Sequence, residues 1–296
     1  MASILRMKHK IALGSAQFGL TYGISNKVGK VHEDEVQEIL ALAKKYQINT
    51  LDTAIAYGES EKVLGAVGVD EWDVISKLSA LPDGVNDVDE WLELEVSNSC
   101  RRLKIESLHG VLLHRPAELL GEHGAELQNA LYRVKEKGLV DKIGISVYEP
   151  SELEQFFDLM KFDIVQAPFS LVDRRMQESG WLKRLQEIGC EFHARSVFLQ
   201  GLLLMTQQQR PSQFDRWQRV WQQLDSWLKE ADITAVQACL AYVLSIEEVT
   251  KVVVGVESRA QLEEIFTALT TSLQHVPAAL SVADKDLLNP ALWGDK

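Results

Sequence analysis

Short apolar runs alternate with longer stretches of helical periodicity almost without a break along this chain. Eight runs read as strands: residues 11–18, 49–54, 72–78, 107–114, 142–147, 163–169, 190–197 and 251–256. They are rich in Val, Ile and Leu, as expected of parallel strands covered on both faces. Between them, apolar residues recur at i, i+3, i+4 and i+7, the stripe of an amphipathic helix. Val36, Ile39, Leu40 and Ala43 form one such set. Others are Leu127, Ala130, Leu131 and Val134; Val236, Cys239, Leu240 and Val243; and Leu262, Ile265, Phe266 and Leu269. Ser151 with Glu154, Thr234 with Gln237 and Ser258 with Gln261 have capping-box spacing at helix starts. Gly138, after a Lys-rich turn, reads as a helix stop.

Eight β-then-α units predict a closed α/β barrel, the (β/α)8 or TIM-barrel class, with an open doubly wound sheet as the alternative. The dinucleotide fingerprint G-x-G-x-x-G is absent, which weakens the Rossmann version of that alternative. No linker or low-complexity tract divides the chain, so residues 1–296 are expected to form one domain. An extra amphipathic helix is expected at about 213–229, and a tail at about 277–296 follows the last barrel helix.

Composition narrows the function. Forty-six per cent of residues are hydrophobic and 25% charged, an ordinary globular balance. The 43 acidic and 31 basic residues leave a net charge of −12. That charge disfavours nonspecific nucleic-acid binding. No apolar run reaches membrane-spanning length and residues 1–10 lack an apolar leader core, so a cytoplasmic protein is expected. Cys100, Cys190 and Cys239 are widely separated and form no C-x-x-C pair, so neither a disulfide framework nor a zinc site is expected. His109 and His114 are an odd number apart and face opposite sides of a strand, so no metal site is expected there.

In a parallel barrel the active site lies at the C-terminal ends of the strands. There the second strand offers Asp52, with Tyr57 in the following loop; the third offers Lys77; the fourth offers His114. Each has a plain alternative reading: Asp52 and Lys77 as a structural ion pair, Tyr57 as a rim aromatic, His114 as a half-buried imidazole.

The run Leu51-Asp52-Thr53-Ala54-x-x-Tyr57-Gly58-x-Ser60-Glu61, followed by Lys77 and His114, resembles the signature of the aldo-keto reductases. The resemblance covers nearly the whole chain, from Leu13-Gly14 to the segment 255–264. It implies a nicotinamide-dependent oxidoreductase acting on a small-molecule carbonyl substrate. Asp52, Tyr57, Lys77 and His114 would be its catalytic residues. A phenol has an ordinary pKa of roughly 10, and an ammonium beside it favours the phenolate. Lys77 could supply that ammonium, Asp52 could hold Lys77, and His114 could donate to the carbonyl oxygen.

The resemblance also implies a cofactor stretched across the barrel mouth. Ser146 and Gln166 would bind its carboxamide, and Phe169 would stack on the nicotinamide ring. The segment 195–201, with Ser196, Phe198 and Gly201, would contact the pyrophosphate. Gly255, Ser258, Arg259 and Glu264 would surround the adenosine end, since a helix start is an anion site. Arg259 would suit a 2′-phosphate, so NADPH is expected in preference to NADH. The family's usual asparagines are replaced by Val147 and Ile265. Segments 13–26 and 194–204 resemble a bacterial branch of the family associated with surface-sugar metabolism, which implies a sugar or sugar-derived carbonyl. Two other classes stay open: a nicotinamide-binding regulatory protein with little turnover, and a Schiff-base lyase using Lys77. The sequence leaves the oligomeric state open.

Overall fold

The computed structural model describes residues 7–294. Met1–Arg6, most of the segment read for a leader, and the last two residues of the tail lie outside them. Eight parallel strands close into a barrel in sequence order. They are β1 (Ile11–Gly14), β2 (Thr50–Asp52), β3 (Asp73–Leu78), β4 (Leu108–Leu113), β5 (Val140–Ser146), β6 (Ile164–Pro168), β7 (Glu191–Arg195) and β8 (Val249–Gly255). Closure comes from β1 against β8, with Ile11 opposite Val252 and Gly14 opposite Gly255. The closed barrel excludes the open-sheet alternative.

The main helices are α1 (Glu33–Lys45), α2 (Ser60–Val67), α3 (Val88–Leu103), α4 (Gly124–Glu136), α5 (Pro150–Phe156), α6 (Trp181–Glu187), α7 (Gln218–Ala231), α8 (Ala235–Ser245) and α9 (Arg259–Ala268). Every apolar stripe expected within them is buried: Val36, Ile39, Leu40 and Ala43 on α1, for instance, are at most 4% exposed. The extra helix is α7, preceded by a 3-10 turn at Ser212–Trp217. Trp221 and Leu224 are buried on its inner face, and Trp217, Val220, Trp227 and Leu228 pack partly against the same core.

Two local expectations are corrected. The first strand stops at Gly14, because Ala16–Gly19 turns into a short helix. The cap of α5 is Glu149, not Ser151: Pro150 occupies the first turn, where its missing N–H costs nothing. Glu152 completes that box by accepting from the Glu149 amide at 2.7 Å. The Thr234–Gln237 box forms as expected. At α9 only half forms: Ser258 caps Gln261, while the Gln261 side chain accepts from Glu257.

Strand alternation organises the barrel interior. Ile75, Leu112 and Ile164 form a small apolar cluster of their own. Two residues further along the same strands stand Lys77, His114 and Gln166. A step of two keeps the side chain on the same face, so an apolar floor lies directly beneath a polar layer.

Candidate active site

That polar layer lines a cavity of about 450 Å3 at the C-terminal end of the barrel. Every strand contributes to it: Gly14, Asp52, Lys77, His114, Ser146, Gln166, Arg195 and Gly255. Tyr57 joins them from the loop after β2.

The loop is held from below. Its amides continue the ladder onto β3, with Thr53 N–H donating to Ile75 and Ile55 N–H to Lys77. Ser60 donates to the Ser15 carbonyl at 2.9 Å. Buried Glu61 accepts from Ser76 and from Arg102, both at 2.6 Å. Thus the motif residues flanking Tyr57 are fasteners between α2, β1, β3 and α3. The first turn, Ala16–Gly19, presses directly on the loop: a Cβ on Gly19 would stand 1.8 Å from the Tyr57 carbonyl oxygen.

Lys77 is 1% exposed and donates to Asp52 Oδ1 at 2.6 Å and to the Thr53 carbonyl at 2.9 Å. An ammonium has three donors; the Tyr57 ring centroid lies 5.2 Å from Nζ. Burial works against the Lys77 charge. The Asp52 carboxylate, with Tyr57 adding to it, nonetheless holds its pKa above the ordinary lysine value. The His114 ring meets Tyr57 edge-on, centroids 6.1 Å apart. Burial, then the charges of Lys77 and Arg195, pushes His114 down to about 4. It is therefore neutral near pH 7 and keeps one N–H donor.

The other oxygen of Asp52 accepts from Gln166 Nε2 at 2.7 Å. This orients the amide and leaves Gln166 Oε1 buried with no hydrogen-bond partner among the described residues. A buried acceptor without a donor is costly, so this oxygen, on the cavity wall, is suited to a ligand N–H. His193, opposite Gln166 on β7, likewise has an unpartnered Nδ1, while its Nε2 lies 3.1 Å from Glu191.

The predicted cofactor residues divide. Ser146, Gln166, Ser196, Phe198, Gly201, Gly255 and Glu264 line the cavity. Phe169 does not. It is three residues beyond Gln166 and so faces outward, stacked on Tyr242 at 5.8 Å and edge-on to Phe192. The expected ring-stacking role is corrected on that ground. Val147, one residue past Ser146, likewise points into the surrounding core and is fully buried.

Ser258 and Arg259 stand off the cavity wall. The Arg259 amide at the start of α9 donates to Glu35 Oε1 at 2.6 Å, so a carboxylate from α1 already occupies that anion seat. The Arg259 guanidinium pairs with Glu38 at 2.8 Å and Glu263 at 3.2 Å. The wall nearby is formed by Glu257, Gln261, Glu264 and Ile265.

Further wall residues stand outside the expected catalytic and cofactor set. Gln17, Tyr22, Tyr148 and Arg195 line the cavity. Arg195 sits two residues beyond inward His193 and could have been found by that count. Tyr22 comes from a loop and Gln17 from the four-residue helix after β1, neither of which carries a readable period. The loop after β7 carries a run of left-handed residues: Ser196, Leu199, Gln200 and Gly201. It meets the loop after β1 where Gln200 donates to the Tyr22 hydroxyl at 3.2 Å. A Cβ on Gly201 would stand 2.0 Å from Ser25 Oγ.

Among the described residues no group of three His, Cys, Asp or Glu side chains could hold a metal ion, and no helix is long and apolar enough to cross a membrane. Burial pushes the thiols of Cys190 and Cys239 up to about 12, which makes both unreactive.

The fold is shared with solved structures. An aldo-keto reductase from Bacillus halodurans, holo form, superposes with a TM-score of 0.74 at 20% identity, over 93% of each chain. Among curated proteins, the aldo-keto reductase YhdN of Bacillus subtilis is 27% identical over 182 residues, 57% of this chain and 53% of its own length. An NADH-specific methylglyoxal reductase of Escherichia coli is 25% identical over 207 residues, 64% of this chain and 63% of its own length. The chain thus spans between about half and two-thirds of these relatives. The family model described as Aldo/keto reductase family matches residues 10–277; the chain belongs to the aldo/keto reductase family, whose members are nicotinamide-dependent oxidoreductases.

Proposed function

We propose that this protein interconverts a carbonyl compound and its alcohol, with Tyr57 as the proton donor and acceptor. The observation that carries this reading is the Lys77–Asp52 pair, buried at 2.6 Å, beneath a tyrosine and a neutral histidine in one cavity. Among the cofactor contacts, the Gln166 Oε1 acceptor fits a nicotinamide carboxamide, and Ser146 stands beside it. Ser196, Phe198 and Gly201 would flank the pyrophosphate. When bound, the reduced nicotinamide supplies a hydride to the carbonyl carbon.

The chain's residues do the rest. His114, neutral, donates its N–H to the carbonyl oxygen and fixes its position. Tyr57 passes its phenolic proton to that oxygen as charge develops there. The Lys77 ammonium, held by Asp52 and the Thr53 carbonyl, stabilises the phenolate left behind. In the oxidative direction the same phenolate takes the alcohol's proton. The raised Lys77 pKa argues against the Schiff-base lyase, because only a neutral amine attacks a carbonyl.

For the cofactor, the acidic surroundings of Arg259 support NADH over NADPH. A 2′-phosphate there would face Glu35, Glu38 and Glu263, and Arg259 would have to leave its present partners.

The test is Tyr57→Phe. Turnover of a panel of aldehydes should fall by roughly 10²- to 10⁴-fold, while nicotinamide binding, followed by tryptophan fluorescence, stays within about twofold of the unmodified protein. Full activity in the variant would refute the role of Tyr57. Tight nicotinamide binding with no turnover in the unmodified protein would favour a regulatory protein instead.

A further inference from the structure

Within the polar layer at the catalytic end, charges are not balanced. Lys77 and Asp52 cancel, and His114 is neutral. Glu257 and Glu264 line the same cavity but are not among the hydrogen-bond partners of Arg195, whose charge is met by no carboxylate contact among the described residues. Arg195 ends β7, opposite Pro168, and lines the cavity with Tyr22, Tyr148 and Tyr57. Among the described residues it hydrogen-bonds only the Val147 carbonyl at 3.0 Å and, more loosely, the Ser196 hydroxyl at 3.4 Å. Its guanidinium carbon lies 4.3 Å above the Tyr148 ring. It has no carboxylate partner among the described residues: nearby Asp173 is held by Arg175 through contacts of 2.8 and 2.7 Å.

A guanidinium has five N–H donors in a planar fork, and two are spent here. The Val147 contact and the Tyr148 face fix its plane, so little freedom is lost when the remaining donors engage a ligand. In a chain with net charge −12, an unpaired cation kept in a partly enclosed site calls for an anion. Carboxylate matches the fork by two parallel hydrogen bonds.

We propose that Arg195 selects carbonyl substrates bearing a carboxylate, clamping that group while the carbonyl oxygen sits between Tyr57 and His114. This deepens, and rests on, the reductase reading above. The carboxylate stays chemically unchanged, so the reaction is the same hydride and proton transfer. The clamp acts on orientation and on binding.

The experiment pairs 4-carboxybenzaldehyde with its neutral analogue methyl 4-formylbenzoate, and succinic semialdehyde with butanal, under saturating NADH and again under saturating NADPH. In the unmodified protein each carboxylate substrate should have a kcat/KM about ten- to a hundredfold above its partner, the worth of one charge-assisted contact. Arg195→Met should reduce that ratio to within about twofold, and Arg195→Lys should keep part of it. Titration with benzoate, which does not react, should show weaker binding in Arg195→Met by a similar factor. Circular dichroism and nicotinamide binding report whether each variant is folded. Turnover without preference in the unmodified protein would overturn the proposal alone. So would a preference that survives Arg195→Met, or a variant that loses nicotinamide affinity but keeps the substrate ratio, which would make Arg195 a cofactor contact. No turnover of any aldehyde with either nicotinamide would overturn the reductase reading, and this inference with it.

Discussion

His114 shows how surroundings set a residue's part. Burial and two neighbouring cations bring it down to about 4, so the native protein keeps it uncharged from about pH 5 upward. Its ordinary value is 6.5, and between the two the unfolded chain binds a proton that the native protein refuses. Stability therefore falls as pH drops through that window, by at most about 3 kcal/mol from this group. His114→Gln should flatten the denaturation midpoint between pH 6.5 and 4, and turnover should show no inflection near 6.5. A midpoint curve unchanged by the substitution would place the imidazole's titration elsewhere. At this scale the four candidate catalytic residues were legible because their order and spacing follow successive strand ends. The stacking role of Phe169 comes from the family resemblance alone, and strand parity, which turns the residue outward, overrides it. Arg195 opens the segment 195–201 that the resemblance assigns to the pyrophosphate, so nothing in that resemblance singles out its side chain.

Between elements, contacts decide what single positions cannot. The turn Ala16–Gly19 supports the Tyr57 loop through a backbone approach that only glycine permits. Gly19→Ala should lower kcat by about tenfold or more, since small misplacements at a reacting centre are costly, with nicotinamide binding less affected. A second contact joins α1 to α9, where Glu35 and Glu38 engage Arg259. Glu35→Gln combined with Glu38→Gln should raise the kcat/KM for NADPH relative to NADH by several-fold, of the order expected for exposed charges. An unchanged ratio would remove these acids from cofactor choice. Helix stripes and the Thr234 cap were readable from periodicity. The Glu35 contact was not, because it joins residues 224 positions apart, and no local pattern encodes such a meeting.

At the scale of the whole molecule, the family match ends at residue 277, yet the chain beyond it is built into the structure. Leu280, Leu287 and Leu288 are fully buried, and Trp293 packs edge-on against Phe214 at 4.9 Å. Val282 N–H donates to the Val172 carbonyl, and Arg174 reaches the Pro277 carbonyl. Each buried leucine contributes about 1.5–3 kcal/mol, so truncation before Pro277 should cost several kcal/mol and lower Tm clearly by calorimetry. A Tm within about 2 °C of the full chain would show the tail to be an appendage. The barrel itself was legible because eight short apolar runs alternating with helical stripes admit few closed arrangements. How the tail packs was not, since its three short helical turns lack a repeating stripe.

Asp52 spends one oxygen on Lys77 and the other on Gln166. The residue that steadies the proton-transfer group thus also aims the acceptor on the cavity wall. Work done at one oxygen is felt at the other. Thermodynamic linkage then requires reciprocity: whatever a ligand gains at Gln166 by tightening this carboxylate, the protonated state of Lys77 gains equally in its presence. Ligand occupancy and the proton on Lys77 are two coordinates of one equilibrium; because Lys77 already holds its proton above the ordinary lysine range, the heat of binding should be independent of the buffer near neutral pH and should depend on the buffer's ionisation enthalpy only in strongly alkaline solution.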